Sequence, residues 1–106
     1  MIEENIEQEY LELQQQLRNV LIQKEAFKIQ VAEIESALEE LKKSKEENVY
    51  KIVGNIMVRK RKDEIEKELN EIKDDSEVKI RSLENIEKSL IEKIKNIEEK
   101  LRSKGG

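Results

Sequence analysis

The stretch Val49-Tyr50-Lys51-Ile52-Val53-Gly54-Asn55-Ile56-Met57-Val58 consists of two β-branched, apolar runs that meet at a Gly-Asn pair. A two-residue loop with glycine in first position is typical of a type II′ turn between antiparallel strands, so this stretch predicts a β-hairpin. The strand pairs expected outward from the turn are Val53–Ile56, Ile52–Met57, Lys51–Val58 and Tyr50–Arg59.

Both faces of the predicted hairpin are largely apolar, and packing on the chain's own helices would cover only one of them. An isolated two-stranded hairpin is marginally stable and leaves unpaired backbone groups along both edges. We therefore predict that the hairpin joins strands from other chains in a shared barrel or sheet, which makes oligomerisation a condition of folding. This hairpin surface comprises Val49, Tyr50, Ile52, Val53, Ile56, Met57 and Val58.

Heptad-patterned segments flank the hairpin on both sides. Before it, apolar residues alternate by four and three positions from Ile6 to Leu41, with Lys24 as the one interruption. This spacing is typical of a coiled coil. The stripe predicted after the hairpin slips by one residue between Leu90 and Ile94, and its members are Ile65, Leu69, Ile72, Ile80, Leu83, Ile86, Leu90, Ile94, Ile97 and Leu101.

The two stripes have nearly equal length, as an antiparallel pair within one chain requires. The predicted fold is mainly α: a long antiparallel coiled-coil helical hairpin with one β-hairpin at its bend. We expect a single domain with an N-terminal helix in residues 1–44, the hairpin in 45–62 and a C-terminal helix in 63–104. Folding back at Gly54 places Lys24 near Leu83 and Ser76 near Val31.

The charge at Lys24 has two interpretations that the sequence leaves open. The side chain either follows the apolar seam to reach Glu84 or Glu87, or it marks a soft point that lets the coiled coil flex.

Composition argues against catalysis. The 106 residues are 43% charged and 3% aromatic, and they include no histidine, cysteine or proline. The commonest general base and metal ligand are thus missing, and no phosphate-binding glycine loop occurs, so we expect no enzyme, no metal and no cofactor. The basic run of residues 59–62 is interpreted as a solvated strand exit and not as a nucleic-acid site. With no apolar run of about 18 residues, a cytoplasmic protein without membrane contact is expected.

Residues 49–58 between two coiled-coil helices resemble the signature of archaeal β-type prefoldin subunits. Gln14-Gln15-Gln16-Leu17, Gln23-Lys24 and Ala37-Leu38-Glu39-Glu40-Leu41 are similar to the first helix of that class. The resemblance implies a hexamer of two α-type and four β-type subunits, with an oligomeric β-barrel platform and coiled-coil tentacles. It also implies an ATP-independent holdase that captures unfolded proteins and passes them to a group II chaperonin.

Capture is expected at the end of the coiled coil that carries both termini, because the seam opens to solvent there. Exposed apolar side chains at such an end would each contact many unfolded chains weakly. Alternatively, these residues pack on one another as at any coiled-coil end. A separate alternative for the whole chain is a structural or adaptor coiled-coil protein that oligomerises through its β-hairpin. The predicted tip surface comprises Ile2, Ile6, Tyr10, Ile97 and Leu101.

Overall fold

A computed structural model describes the backbone of residues 2–105 and the side chains of residues 5–103. Along the chain, a two-stranded antiparallel sheet lies between two long helices, which confirms the predicted order of helix, β-hairpin and helix. The elements are α1 (Ile2–Lys43), β1 (Asn48–Val53), β2 (Ile56–Arg61) and α2 (Lys62–Gly105).

Charges at the helix ends next to the hairpin suit the helix dipoles. The last turn of α1 carries Lys42 and Lys43, and the first turn of α2 carries Asp63 and Glu64. Cations at a C-terminus and anions at an N-terminus stabilise the partial charges of the unpaired backbone groups. The carboxylate of Asp63 also accepts a hydrogen bond from the backbone N–H of Glu64, at 3.0 Å.

The hairpin has the register that the sequence predicts, with Val53 opposite Ile56 and Ile52 opposite Met57. Gly54 has φ +62°, and no other residue of the described backbone has a positive φ. A positive φ at the first loop position alone is the pattern of a type II′ turn, which confirms that prediction. An L side chain would be strained at this φ, so glycine is required at position 54.

The chain divides into two compact units, and each is described by itself. Unit 1 comprises Met1–Ala26 and Lys79–Gly106, and its helices run antiparallel. Two contacts establish that direction: the Tyr10 hydroxyl donates to Glu98 at 3.2 Å, and the Lys24 ammonium donates to Glu87 at 2.5 Å. The buried seam residues of unit 1 are Leu13, Val20, Leu83, Leu90, Ile94 and Ile97.

Unit 2 comprises Phe27–Val78 and includes the hairpin. Its helical segments also run antiparallel, since the Ser76 hydroxyl donates to the Gln30 side chain at 3.0 Å and Lys73 lies 3.5 Å from Glu35. Ser76 is buried in the seam, and its partner Gln30 is the residue before Val31, near which Ser76 was expected. The hydrogen bond satisfies the buried hydroxyl.

The seam predicted for α2 is wrong at two positions. Ile72 and Ile86 are 43% and 47% exposed, and the seam positions are taken by their partly buried neighbours Lys73 and Glu87. Each of these charges finds a partner on α1, which offsets the loss of an apolar residue. With Glu87 in the seam, the spacing in unit 1 alternates regularly through Leu83, Glu87, Leu90, Ile94, Ile97 and Leu101, so the expected slip does not occur.

Candidate interaction surfaces

The apolar residues of the hairpin surface are largely open to solvent in the single chain. Directly paired residues share a face, so Tyr50, Ile52, Met57 and Arg59 lie on one side of the sheet. Ile52 is 71% exposed there. On the opposite face, Val53 and Ile56 are exposed near the turn, whereas Val49 is half-buried near the helices. Neither face is covered by the helices of its own unit.

One carboxylate fastens the hairpin to α2. Glu68 lies 2.7 Å from the ammonium of Lys60 on β2 and 3.3 Å from that of Lys51 on β1. The hydrogen bond from Lys60, followed by that from Lys51, lowers the pKa of Glu68, and the same bond raises the pKa of Lys60. This clamp therefore links both strands of the hairpin to a single side chain of α2.

The basic run after the hairpin is engaged locally. Lys60 binds Glu68, Arg61 lies 3.4 Å from Asp63, and the ammonium of Lys62 donates to the backbone carbonyl of Ser44 at 2.8 Å. The backbone N–H of Lys62 also donates to the carbonyl of Glu47 at 2.8 Å. These contacts close the base of the hairpin, in keeping with a structural role for the run.

A concavity, here called the hairpin groove, lies where β1 meets α2. Ile65 and Leu69 are half-buried in it, and Ile72 is one of its more exposed members. The two charged residues that line it, Lys51 and Glu68, form an ion pair with each other. The groove is lined by Tyr50, Lys51, Ile65, Glu68, Leu69 and Ile72.

The described part of the tip surface is only partly open. Ile6, Tyr10 and Leu101 are half-buried, while Ile97 is 5% exposed, so the expectation that Ile97 is uncovered is wrong. Helix α1 continues past this level to Ile2, and Tyr10 reaches Glu98, the residue after Ile97. The side chain of Ile2 lies outside the described residues.

Burial, followed by the hydrogen bond to Glu98, raises the pKa of the Tyr10 phenol. The ring of Tyr10 also borders a shallow groove of unit 1 with Leu17, Leu21 and Ile94. The sequence interpretation missed Leu11, which is 64% exposed beside Tyr10. The signal for it is a leucine one position off an otherwise regular heptad seam.

Two further properties bear on function. None of the helices in the described range has an apolar stretch long enough to cross a bilayer. Among the described side chains, no three histidine, cysteine, aspartate or glutamate residues come together in a way that would hold a metal ion.

Residues 4–106 match the family model described as "Prefoldin subunit". The chain is 42% identical over 72 residues to the prefoldin subunit beta of Archaeoglobus fulgidus, a match that covers 67% of this chain and 62% of that protein. It is 40% identical over 63 residues to the prefoldin subunit beta of Sulfolobus acidocaldarius, which covers 58% of this chain and 50% of the relative. The matched stretch thus spans between half and two thirds of these curated relatives.

Solved structures extend the likeness to nearly the whole chain. The crystal structure of the prefoldin beta subunit from Thermococcus strain KS-1 has a TM-score of 0.85 at 33% identity, covering 94% of this chain and 89% of that one. The beta2 subunit of the same strain has a TM-score of 0.74 at 20% identity, covering 83% and 95% respectively, and supports the fold alone.

Proposed function

The chain belongs to the prefoldin subunit family and is similar to its archaeal β subunits, and on that premise we propose that it is one subunit of an ATP-independent holdase. The assembled holdase captures unfolded proteins at the ends of its coiled coils and delivers them to a group II chaperonin in the cytoplasm. The assembly is a hexamer of two α-type and four β-type subunits.

The observation that carries the proposal is the solvent exposure of the hairpin on both of its faces. Ile52, Val53, Ile56 and Met57 are all exposed in the single chain. Burying apolar surface yields about 25 cal/mol per Å², so a shared barrel that covers these side chains gains several kcal/mol per subunit. The unpaired strand edges gain backbone hydrogen bonds in the same step. Assembly through the hairpin would therefore cover the exposed apolar side chains and pair the open strand edges.

Capture at the tip surface is supported by the partial exposure of Ile6, Tyr10 and Leu101 and by the open position of Leu11. Ile97 supports the packing of the two helix ends and does not itself contact clients. Each apolar contact is weak and does not depend on a particular amino-acid sequence in the client protein. Several tips acting on one client multiply these contacts through avidity, which requires no nucleotide.

The proposal is tested with the chain assembled with an α-type subunit. Light scattering follows the aggregation of two unrelated denatured proteins, with and without ATP. We expect suppression of aggregation of both proteins, equal in the two conditions. An assembled hexamer that leaves both proteins to aggregate contradicts the holdase function, and saturable binding to one defined helix sequence identifies an adaptor instead.

A further inference from the structure

We propose that the shallow groove beside Tyr10 in unit 1, here called the side groove, binds an amphipathic helix of a client protein that carries a carboxylate next to its apolar stripe. The inference rests on the proposed function and names a class of client segment that this function leaves open. It gives a role to Arg18 and Leu21, which belong neither to the hairpin surface nor to the tip surface.

The side groove has the length and periodicity of a helix-packing surface. Its α1 wall includes Tyr10, Gln14, Leu17 and Leu21, which step by four, three and four positions along the chain, and Ile94 contributes from α2. From the first to the last of these α1 positions the helix rises about 16 Å, which is three turns. Residues at this spacing form the row of side chains against which another helix packs. A third helix laid beside the pair therefore matches the groove.

The lining of the side groove includes apolar area that is open to solvent. Leu21 lies one position off the seam and is 41% exposed, so α2 does not cover it. Leu17 is half-buried and Ile94 is buried, and both also line the groove. Apolar side chains placed against these residues are removed from water together with them, which favours association. The occupant therefore has an apolar face.

Backbone hydrogen bonding distinguishes a helix from an extended segment as the occupant. Only helices border the side groove, and backbone groups inside a helix already pair with one another. An extended segment would find no strand edge here and would lose backbone hydration without gaining main-chain partners. A helix satisfies its own backbone groups and can bury one face. The side groove therefore favours an amphipathic helix.

The charges at the side groove select the residues next to the apolar stripe of the occupant. Arg18 and Glu98 line the groove, and Glu98 already accepts a hydrogen bond from Tyr10. Arg18 is exposed and forms no ion pair with any side chain that the structure describes. No residue three or four positions away from it on α1 is acidic. This cation attracts a carboxylate on the occupant and repels a lysine at the same place.

The chain supplies a matched control for each of the two residues. Ile22 follows Leu21 and is 61% exposed but does not line the side groove, so Leu21→Ser and Ile22→Ser remove similar side chains from neighbouring positions. Lys88 is an exposed cation of unit 1 outside the side groove, so Arg18→Glu and Lys88→Glu change the net charge equally.

The test measures the binding of labelled peptides to the chain assembled with an α-type subunit, by fluorescence anisotropy at low ionic strength. Two unrelated amphipathic helices of about 21 residues carry glutamates next to the apolar stripe. Each has a counterpart with lysines at those places and a scrambled counterpart without apolar periodicity. We expect both glutamate helices to bind at least about threefold more tightly than their counterparts. Because this chain has a net charge of −4, its overall charge favours the lysine peptides, so a glutamate preference reports on Arg18.

The variants locate the binding site. Leu21→Ser should weaken binding of the glutamate helices at least about fivefold, and Ile22→Ser should match the wild type within about twofold. Arg18→Glu should reverse the preference between glutamate and lysine helices, whereas Lys88→Glu should retain it. Circular dichroism and sedimentation velocity verify that every variant keeps its helices and its oligomeric state.

Three results overturn the inference: scrambled peptides that bind as tightly as the glutamate helices, Leu21→Ser that binds as Ile22→Ser does, or a glutamate preference that Arg18→Glu leaves unchanged. Binding of only one of the two glutamate helices also contradicts it, since a single defined sequence is then the ligand. Failure of the proposed function has a separate signature, which is an assembled wild-type hexamer that does not suppress aggregation.

Discussion

The ammonium nitrogen of Lys24 lies 2.5 Å from Oε1 of Glu87, and both residues occupy seam positions on facing helices of unit 1. The hydrogen bond from Lys24 to Glu87 raises the pKa of Lys24, while partial burial acts in the opposite direction. Of the two interpretations of Lys24, the structure supports the one in which the side chain reaches across the seam to a carboxylate. A slip of one heptad would place Ile80 or Ile94 where Glu87 lies, leaving Lys24 without its partner, so the pair also fixes the helix register.

We predict that replacing both members of this pair raises stability, whereas replacing one lowers it. Lys24→Leu alone leaves the Glu87 carboxylate in the seam without its partner, and Glu87→Leu does the same to the ammonium. The double variant replaces two charges with apolar side chains that pack in the seam. Thermal melts of the three variants should give a higher Tm than the wild type for the double variant only. A single variant that matches the wild type would show that the ion pair contributes nothing to stability.

Local patterns made much of the fold predictable. The hairpin register follows from a two-residue turn and β-branched runs, and every α1 seam position from Ile6 to Leu41 is at least partly buried, as its spacing predicts. The α2 seam was harder to predict from the sequence, because an isoleucine and a charged residue are neighbours at two of its positions. Glu87 takes the seam position in place of Ile86 because it pairs with Lys24, which is far away in the sequence. The pattern of residues within α2 alone therefore does not predict it.

The interaction surfaces were also predictable only in part. The exposure of the hairpin was predictable, because both faces are apolar and the helices can cover only one. The burial of Ile97 was not, since it depends on how far α1 extends beside α2 and on the contact between Tyr10 and Glu98. Leu11 was missed because its position off the seam gives no periodic signal.

A charge in the hairpin should prevent assembly. Ile56→Asp would bury an unpaired carboxylate in a shared barrel at a cost of several kcal/mol, which corresponds to at least about a hundredfold loss in association with an α-type subunit. Ile22→Asp is the control, because Ile22 and Ile56 are 61% and 63% exposed but Ile22 lies on α1. Size-exclusion chromatography should show assembly of the control only, with helix content retained in both variants. Normal assembly of Ile56→Asp would remove the hairpin from the interface.

The clamp at Glu68 makes a pH-dependent contribution to stability. The two lysines lower its pKa below the ordinary value of 4.5. The ionised carboxylate therefore contributes stability that is present above that pH and lost as the pH falls through the folded-state pKa. Glu68→Gln should have a lower Tm than the wild type at pH 7, and the difference should shrink below about pH 4.5. Glu71→Gln, at an exposed site on α2, serves as the control. A constant difference between pH 7 and pH 3 would contradict the clamp.

Apolar side chains near the termini should govern client affinity. Ile6→Ser combined with Leu11→Ser removes accessible apolar area from each β-type subunit, and the loss is multiplied over several subunits on one client. Fluorescence anisotropy with a labelled denatured protein should show severalfold weaker binding. Ile29→Ser is the control, since Ile29 is exposed in unit 2, and it should bind as the wild type does. Equal weakening by the control would indicate capture along the helices and not at the tip surface.

The central claim is that the tip surface of an intact assembly captures unfolded proteins. The most direct measurement compares aggregation suppression by the wild-type hexamer and by a hexamer whose β-type subunits lack residues 1–7, without nucleotide. Sedimentation velocity verifies that both have the same oligomeric state, which is expected because the deletion lies about five heptads before the hairpin in sequence. We predict that the truncated hexamer stays assembled and suppresses aggregation several-fold less well. Undiminished suppression by the intact truncated hexamer would contradict capture at this surface.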